Sequence, residues 1–121
     1  MGTWGPGIFD DDVSADVQIR FEEALEESGD PIHAAKEVLS DMEDELEDDD
    51  DAPIIYFALA ALQLKHGQMS PSIKKKALAH IKSGYDLARW EDGSSESVER
   101  KKNLEKRKEV LEALKLDLLK K

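Results

Sequence analysis

The chain of 121 residues and 13.6 kDa has the length of a single domain. With 40% hydrophobic and 37% charged residues, the composition excludes a membrane protein and argues against wholesale disorder. The absence of cysteine excludes disulfides, thiolate zinc sites and cysteine nucleophiles. A net charge of −11 disfavours direct binding of nucleic acid, whose phosphates would be repelled.

The first ten residues cannot hold a helix, because three glycines and a proline interrupt them. Trp4 and Phe9 in this stretch are costly to leave in water. We therefore expect an extended N-terminal arm over residues 1–10 that packs against a helical body, residues 11–121, in one domain. Trp4, Phe9 and, farther along the chain, Trp90 are the predicted structural anchors. The alternative is an arm that exposes its aromatic residues for recognition.

Two helices are predicted for the acidic region that follows. An aspartate at position 11 or 12 can cap the first, whose apolar residues recur at steps of three and four until Ser28 and Gly29. The second starts at Asp30 and Pro31, with the aspartate as cap and the proline in the first turn. Its apolar spacing continues to Leu46, and the acids from Glu43 to Asp51 are expected to face outward or fray, because adjacent carboxylates repel one another.

The third predicted helix, residues 54–65, is apolar on nearly every side. This pattern is typical of the buried centre of a helical bundle. A strand over residues 54–57 is the alternative, since short apolar runs fit either structure. His66 and Gly67 close the helix.

Two further helices complete the predicted fold. Ser70 and Pro71 repeat the cap-and-proline signal, and the fourth helix is expected to continue through Gly84 to Ala88. A turn over residues 92–95 leads to the fifth helix, which reaches the C-terminal end with lysines and arginines on its outer faces. The sequence thus predicts an all-α fold, a single compact bundle of about five helices.

The charges are strongly segregated along the chain. Residues 1–52 carry 19 acids and two bases, a net charge of −17, whereas residues 53–121 carry 9 acids and 15 bases, a net charge of +6. One interpretation is that the acidic half simply complements the basic half of the same molecule. The other is an acidic surface for a basic partner protein, because such a field steers association. Its candidate residues are Glu43, Asp44, Glu47, Asp48, Asp49, Asp50 and Asp51.

Catalytic and metal-binding patterns are not visible in the sequence. His33, His66 and His80 are never four residues apart, and the pairing of His33 with Glu37 alone would make a poor metal site. The aspartate run 48–51 lacks the alternation and the glycine of a calcium loop. We therefore predict no enzyme, no catalytic residue, no metal and no cofactor.

Neither a targeting signal nor a membrane-spanning segment is visible in the sequence. Met1 is followed by neither a basic segment nor a long apolar run, and the longest apolar stretch is far shorter than the ~20 residues of a membrane span. We expect a cytoplasmic protein that does not bind membranes.

The opening motif resembles that of a known family. The chain begins Met-Gly-Thr-Trp-Gly-Pro-Gly-Ile-Phe-Asp-Asp-Asp, and this start is similar to that of small bacterial proteins catalogued as domain of unknown function 4259. Residues 87–91 and 107–112 also resemble that family, so the likeness spans nearly the whole chain. The resemblance implies a compact helical domain of bacterial or phage origin and brings no known catalytic residues.

Two functions are compatible with these features. Small acidic proteins of this kind are often immunity proteins or antitoxins, an inference by analogy. The leading hypothesis is a non-catalytic protein-binding domain that occludes a basic partner protein such as a bacterial toxin. The alternative is a structural or regulatory helical domain without a toxin partner.

Overall fold

The computed structural model describes residues 12–84, 86–88 and 98–120, and for residues 98–103 the backbone only. Throughout these ranges the secondary structure is helical and contains no strand. The helices are α1 (Asp12–Ser28), α2 (Pro31–Asp41), α3 (Glu43–Leu46), α4 (Asp51–Lys65), α5 (Pro71–Ser83) and α6 (Val98–Leu119). Residues 86–88 add a short helical stretch. The all-α prediction is confirmed; the arm and its anchors Trp4 and Phe9, and also Trp90, lie outside the described residues.

Helix α4 is the centre of the bundle, as its sequence predicted. It contacts α1, α2, α3, α5 and α6, and nine of its fifteen residues are buried. Phe57 and Leu59 are almost completely inaccessible to solvent. A helix without a polar face is stable only when neighbours cover every side, and the other five helices do so here.

Helix α2 begins as predicted and ends before its apolar spacing does. The Asp30 carboxylate accepts a hydrogen bond from the backbone N–H of Ile32 at 2.9 Å, so it caps the helix. The helix stops at Asp41, and Met42, with φ −108° and ψ 27°, separates it from α3. The apolar spacing to Leu46 therefore spans two helices rather than one, and the carboxylates from Glu43 to Asp50 are exposed as expected. The bend keeps Met42 buried while the carboxylates that follow turn towards solvent.

Helix α5 ends earlier than predicted. Gly84 has φ 71° and closes the helix in the left-handed conformation, which glycine adopts without a steric penalty. The expected continuation through Gly84 to Ala88 is wrong, and Ala88 is exposed rather than part of the buried row. At the other end, the helix starts at Pro71 as expected. The side chain of Ser70 makes no capping hydrogen bond there, because its hydroxyl accepts from the amide of Gln63 instead, at 2.9 Å.

Helix α6 buries the leucines that its spacing predicted, namely Leu104, Leu111, Leu114 and Leu118. The prediction that its basic residues face outward fails at Arg107, which is 4% exposed. No described helix is both long and apolar enough to cross a membrane.

Candidate partner-binding site

The candidate residues of the acidic surface form one compact stretch at the end of α2, along α3 and into the first turn of α4. Six of the seven predicted side chains are exposed, and Asp51 is half-buried at the start of α4. Glu45, which the sequence reasoning left out, is also exposed. We refer to Glu43, Asp44, Glu45, Glu47, Asp48, Asp49, Asp50 and Asp51 as the acidic surface.

The aspartate turn within the acidic surface has a defined local conformation. The Asp48 carboxylate accepts a hydrogen bond from the backbone N–H of Asp50 at 2.7 Å. The backbone N–H of Ala52 donates to the carbonyl of Asp48 at 3.0 Å, which joins the turn to α4. Five helices contact α4, so the turn that carries these carboxylates is joined to the central, largely buried helix of the fold.

A second group of carboxylates lines a small cleft of about 140 Å³ between α1 and α2. Arg20 lies among them: its Nε donates to Asp16 Oδ2 at 3.0 Å, and its Nη1 is 3.8 Å from Asp41 Oδ2. The hydrogen bond and charge of Asp16, with smaller contributions from Asp41 and Glu45, raise the pKa of Arg20. The cleft is lined by Arg20, Glu23, Ala24, Glu27, Glu37 and Asp41.

This cleft was not identified from the sequence. The sequence shows the acids of each helix, but the spacing of residues within a helix does not predict that α1 and α2 contact each other. The charge of Glu45 contributes to the raised pKa of Arg20, so one carboxylate of the acidic surface acts electrostatically on the cleft.

The three histidines occupy different environments. His33 Nε2 lies 3.3 Å from Glu37 Oε1 on the exposed side of α2, and the ring of His66 packs against Phe21 with centroids 5.8 Å apart. His80 is half-buried, as predicted, and stacks on Tyr56 at 5.5 Å. Among the described residues, no group of three or more histidines and carboxylates has a geometry that could hold a metal ion.

The cluster around His80 has perturbed protonation equilibria. Burial, and after it the charge of Lys76, lowers the pKa of His80 from its ordinary value of 6.5. Burial likewise raises the pKa of Tyr56. The Lys76 ammonium lies over the Tyr56 ring, 5.7 Å from its centroid, in a cation–π contact.

A groove runs between α5 and α6. It has a volume of about 640 Å³ and an apolar floor that includes Leu78, Ile81 and Leu111. Three lysines and one glutamate form its rim, namely Lys82, Lys108, Lys115 and Glu112. Leu78 and Ile81 belong to the apolar row of α5, but in the structure they are half-buried and line an open groove.

The fold is thus a small helical bundle with an acidic region that extends from α1 to the first turn of α4 and a lysine-rimmed groove between α5 and α6. A family model described as Domain of unknown function (DUF4259) matches residues 2–119, and the chain belongs to this family. The resemblance inferred from the sequence is confirmed. Comparisons with curated proteins and with solved structures gave no match.

Proposed function

We propose that the protein is a non-catalytic binding domain that captures a basic partner protein through the acidic surface and blocks it by occlusion. The partner class is that of a bacterial toxin or nuclease-like effector, which makes the protein an immunity or antitoxin protein of the cytoplasm. Nucleic acid and membranes are not its targets. The observation that carries the proposal is the concentration of exposed carboxylates between Glu43 and Asp50.

Electrostatics supports this role through the rate of association. A surface with one sign of charge raises the local concentration of an oppositely charged partner and can increase the association rate by factors of about 10 to 1,000. The ion pairs of α1 and α2 remain inside the acidic half, since Arg20 pairs with Asp16 and Asp41. The field of the other acids in α1 and α2 therefore adds to that of the acidic surface.

The defined backbone of the aspartate turn supports the proposal in a second way. A site already held in its bound conformation loses less entropy on association. The hydrogen bond from Asp50 to Asp48 and the attachment to α4 provide such preorganisation.

The proposal is tested by converting Asp48, Asp49, Asp50 and Asp51 to asparagine. Asparagine retains the side-chain oxygen that accepts from the Asp50 N–H, so the fold should persist. The partner is first captured from a lysate of the source cell at low salt, and the basic product of a neighbouring gene is tested directly. Stopped-flow measurements with the purified partner should then show association at least about tenfold slower for the variant, with a smaller dependence on salt.

A matched control removes the same number of charges outside the acidic half, through Glu105→Gln, Glu109→Gln, Glu112→Gln and Asp117→Asn on α6. All four side chains are exposed. The proposal requires a clearly smaller effect from this control than from the aspartate variant. Unchanged association kinetics of the aspartate variant would exclude the acidic surface and leave a structural or regulatory role without a toxin partner.

A further inference from the structure

Large apolar side chains are exposed at three positions of the described chain. These are Ile19 on α1, 57% exposed, and Leu116 and Leu119 on α6, 51% and 58% exposed. Single exposed apolar residues are common, but Ile19 lies on an acidic helix, whereas Leu119 lines a groove whose rim carries three lysines and one glutamate.

The surface on α6 adjoins the groove between α5 and α6. Leu119 lines the groove itself, and Leu116 lines a shallow depression next to it that shares Lys108 and Glu112. The neighbouring α5 carries four lysines and no acid. The groove therefore offers an apolar floor within a mainly positive rim, which suits an apolar anchor flanked by carboxylates.

The exposed face of α1 has this composition. Asp12, Glu22, Glu23 and Glu26 each lie three, four or seven positions from Ile19, so all five residues lie on one side of the helix. All five residues are exposed. We refer to these five residues as the Ile19 face.

We propose that the protein self-associates head to tail, with the Ile19 face of one copy seated in the α5–α6 groove of a second copy. Within a copy, α1 is held against α2 and α4, so its outer face cannot reach the groove of the same molecule. The contact joins two different surfaces, so a pair of copies still has one unused Ile19 face and one unused groove. Further copies can therefore add, and the assembly is an open chain or a ring rather than a symmetric dimer. This inference is independent of the proposed capture of a basic partner.

The test is sedimentation velocity of the full chain over a range of protein and salt concentrations. The average mass should rise above the 13.6 kDa of one chain with protein concentration, and it should fall as salt screens the lysine–carboxylate contacts. Two variants each block one side: Ile19→Lys places a cation against the lysine rim, and Leu119→Asp removes the anchor contact and adds an anion. Each alone should weaken self-association at least about tenfold.

The decisive experiment mixes the two variants in equal amounts. The Ile19→Lys variant keeps its groove and the Leu119→Asp variant keeps its Ile19 face, so the mixture should form a one-to-one dimer. Ser40→Lys and Ser40→Asp introduce the same charges at an exposed position of α2 and should leave self-association unchanged. Circular dichroism verifies the fold of every variant, and Lys115→Glu on the groove rim replaces Leu119→Asp if the latter does not fold.

Several results would overturn the inference. A wild-type chain that stays monomeric at all concentrations would do so, as would a mixture that stays monomeric. If Leu119→Asp prevents association and Ile19→Lys does not, the leucines pair symmetrically and the Ile19 face has no part. The asparagine variant of residues 48–51 should still self-associate, so this proposal and the proposed function can fail separately.

Discussion

Arg107 of α6 and Asp86 form a buried ion pair with two contacts. Arg107 Nε donates to Asp86 Oδ2 at 2.8 Å and Nη2 donates to Oδ1 at 3.3 Å, while the two side chains are only 5% and 2% exposed. The guanidinium carbon also lies 5.7 Å from the centroid of the Phe57 ring on α4. This arrangement fixes α6 to the segment after α5 and to the central helix.

Replacement of Arg107 by methionine should destabilise the protein strongly. The Asp86 carboxylate would remain buried without its guanidinium partner, at a cost of about 3–5 kcal/mol in the free energy of unfolding. Urea denaturation followed by circular dichroism measures the loss. Adding Asp86→Asn to the same chain should recover part of it, because the buried carboxylate that has lost its guanidinium is then replaced by a neutral amide.

The control for this experiment is Lys106→Met on the exposed side of the same helix. Its effect should stay within about 0.5 kcal/mol, as is usual for surface substitutions. A double variant that is less stable than Arg107→Met alone would contradict the explanation by an uncompensated charge.

The sequence predicted the starts of helices far better than contacts across the fold. Asp30 with Pro31 carries a local signal, and α2 begins there. Gly84 follows a serine just as Gly29 does, but the apolar spacing that continues past it to Ala88 favoured a longer helix, and the backbone angle shows that the helix stops there. Asp86 and Arg107 are 21 positions apart, and no spacing rule pairs residues at that distance.

Gln63 offers a second test of a buried polar contact. Its side-chain amide donates to Ser70 Oγ at 2.9 Å and to the carbonyl of Pro31 at 3.4 Å, and its oxygen accepts from the Ser70 N–H at 3.0 Å. Gln63→Met preserves the volume and removes all three contacts. We expect a loss of about 1–3 kcal/mol in thermal or urea unfolding.

The matched substitution Gln68→Met lies at an exposed position of the same connection. It should leave the melting temperature nearly unchanged. Equal melting of the two variants would mean that the contacts of Gln63 do not stabilise the packing of α4 on the start of α2.

The lowered pKa of His80 predicts a dependence of stability on pH. Because the unfolded chain takes up the proton at a higher pH than the folded chain, stability present above the ordinary value of 6.5 should decline as the pH falls below it. Urea titrations between about pH 7.5 and about pH 5 measure this decline. His80→Gln should make the pH dependence shallower.

Lys76→Gln separates the two causes of the His80 shift. It removes the neighbouring charge and leaves the stacking on Tyr56 in place, so the decline should become smaller without disappearing. An unchanged slope in His80→Gln would assign the pH dependence to other groups.

Gly84 allows a test of backbone conformation without interference from packing. No atom lies within 4 Å of a Cβ added at this position, so the cost of Gly84→Ala comes from its φ of 71° alone. We expect a loss of about 1–2 kcal/mol in the free energy of unfolding. Gly84→Asn should cost less, because asparagine tolerates the left-handed region better, and a neutral Gly84→Ala would show that α5 can continue past this point.

The candidate surfaces were predictable to different degrees. The acidic surface follows from a run of carboxylates that only Leu46 interrupts, and so many adjacent charges face solvent for the most part in any fold. The groove could not be foreseen, because Leu78 has the spacing of a core residue and its partial exposure depends on how far α6 lies from α5. The Ile19 face was missed for a related reason, since one isoleucine among acids gives no periodic signal.

The burial of α4 on every side has a consequence for synthesis on the ribosome. When α4 emerges, α1, α2 and α3 are available to cover part of it, but α5 and α6 have not yet been translated. One apolar side of α4 therefore stays exposed to water until α6 has been synthesised and packs against the bundle through Arg107 and its leucines. During this interval the nascent chain exposes apolar surface of the kind that chaperones recognise. Aggregation through this surface is prevented once α6 has packed against the bundle.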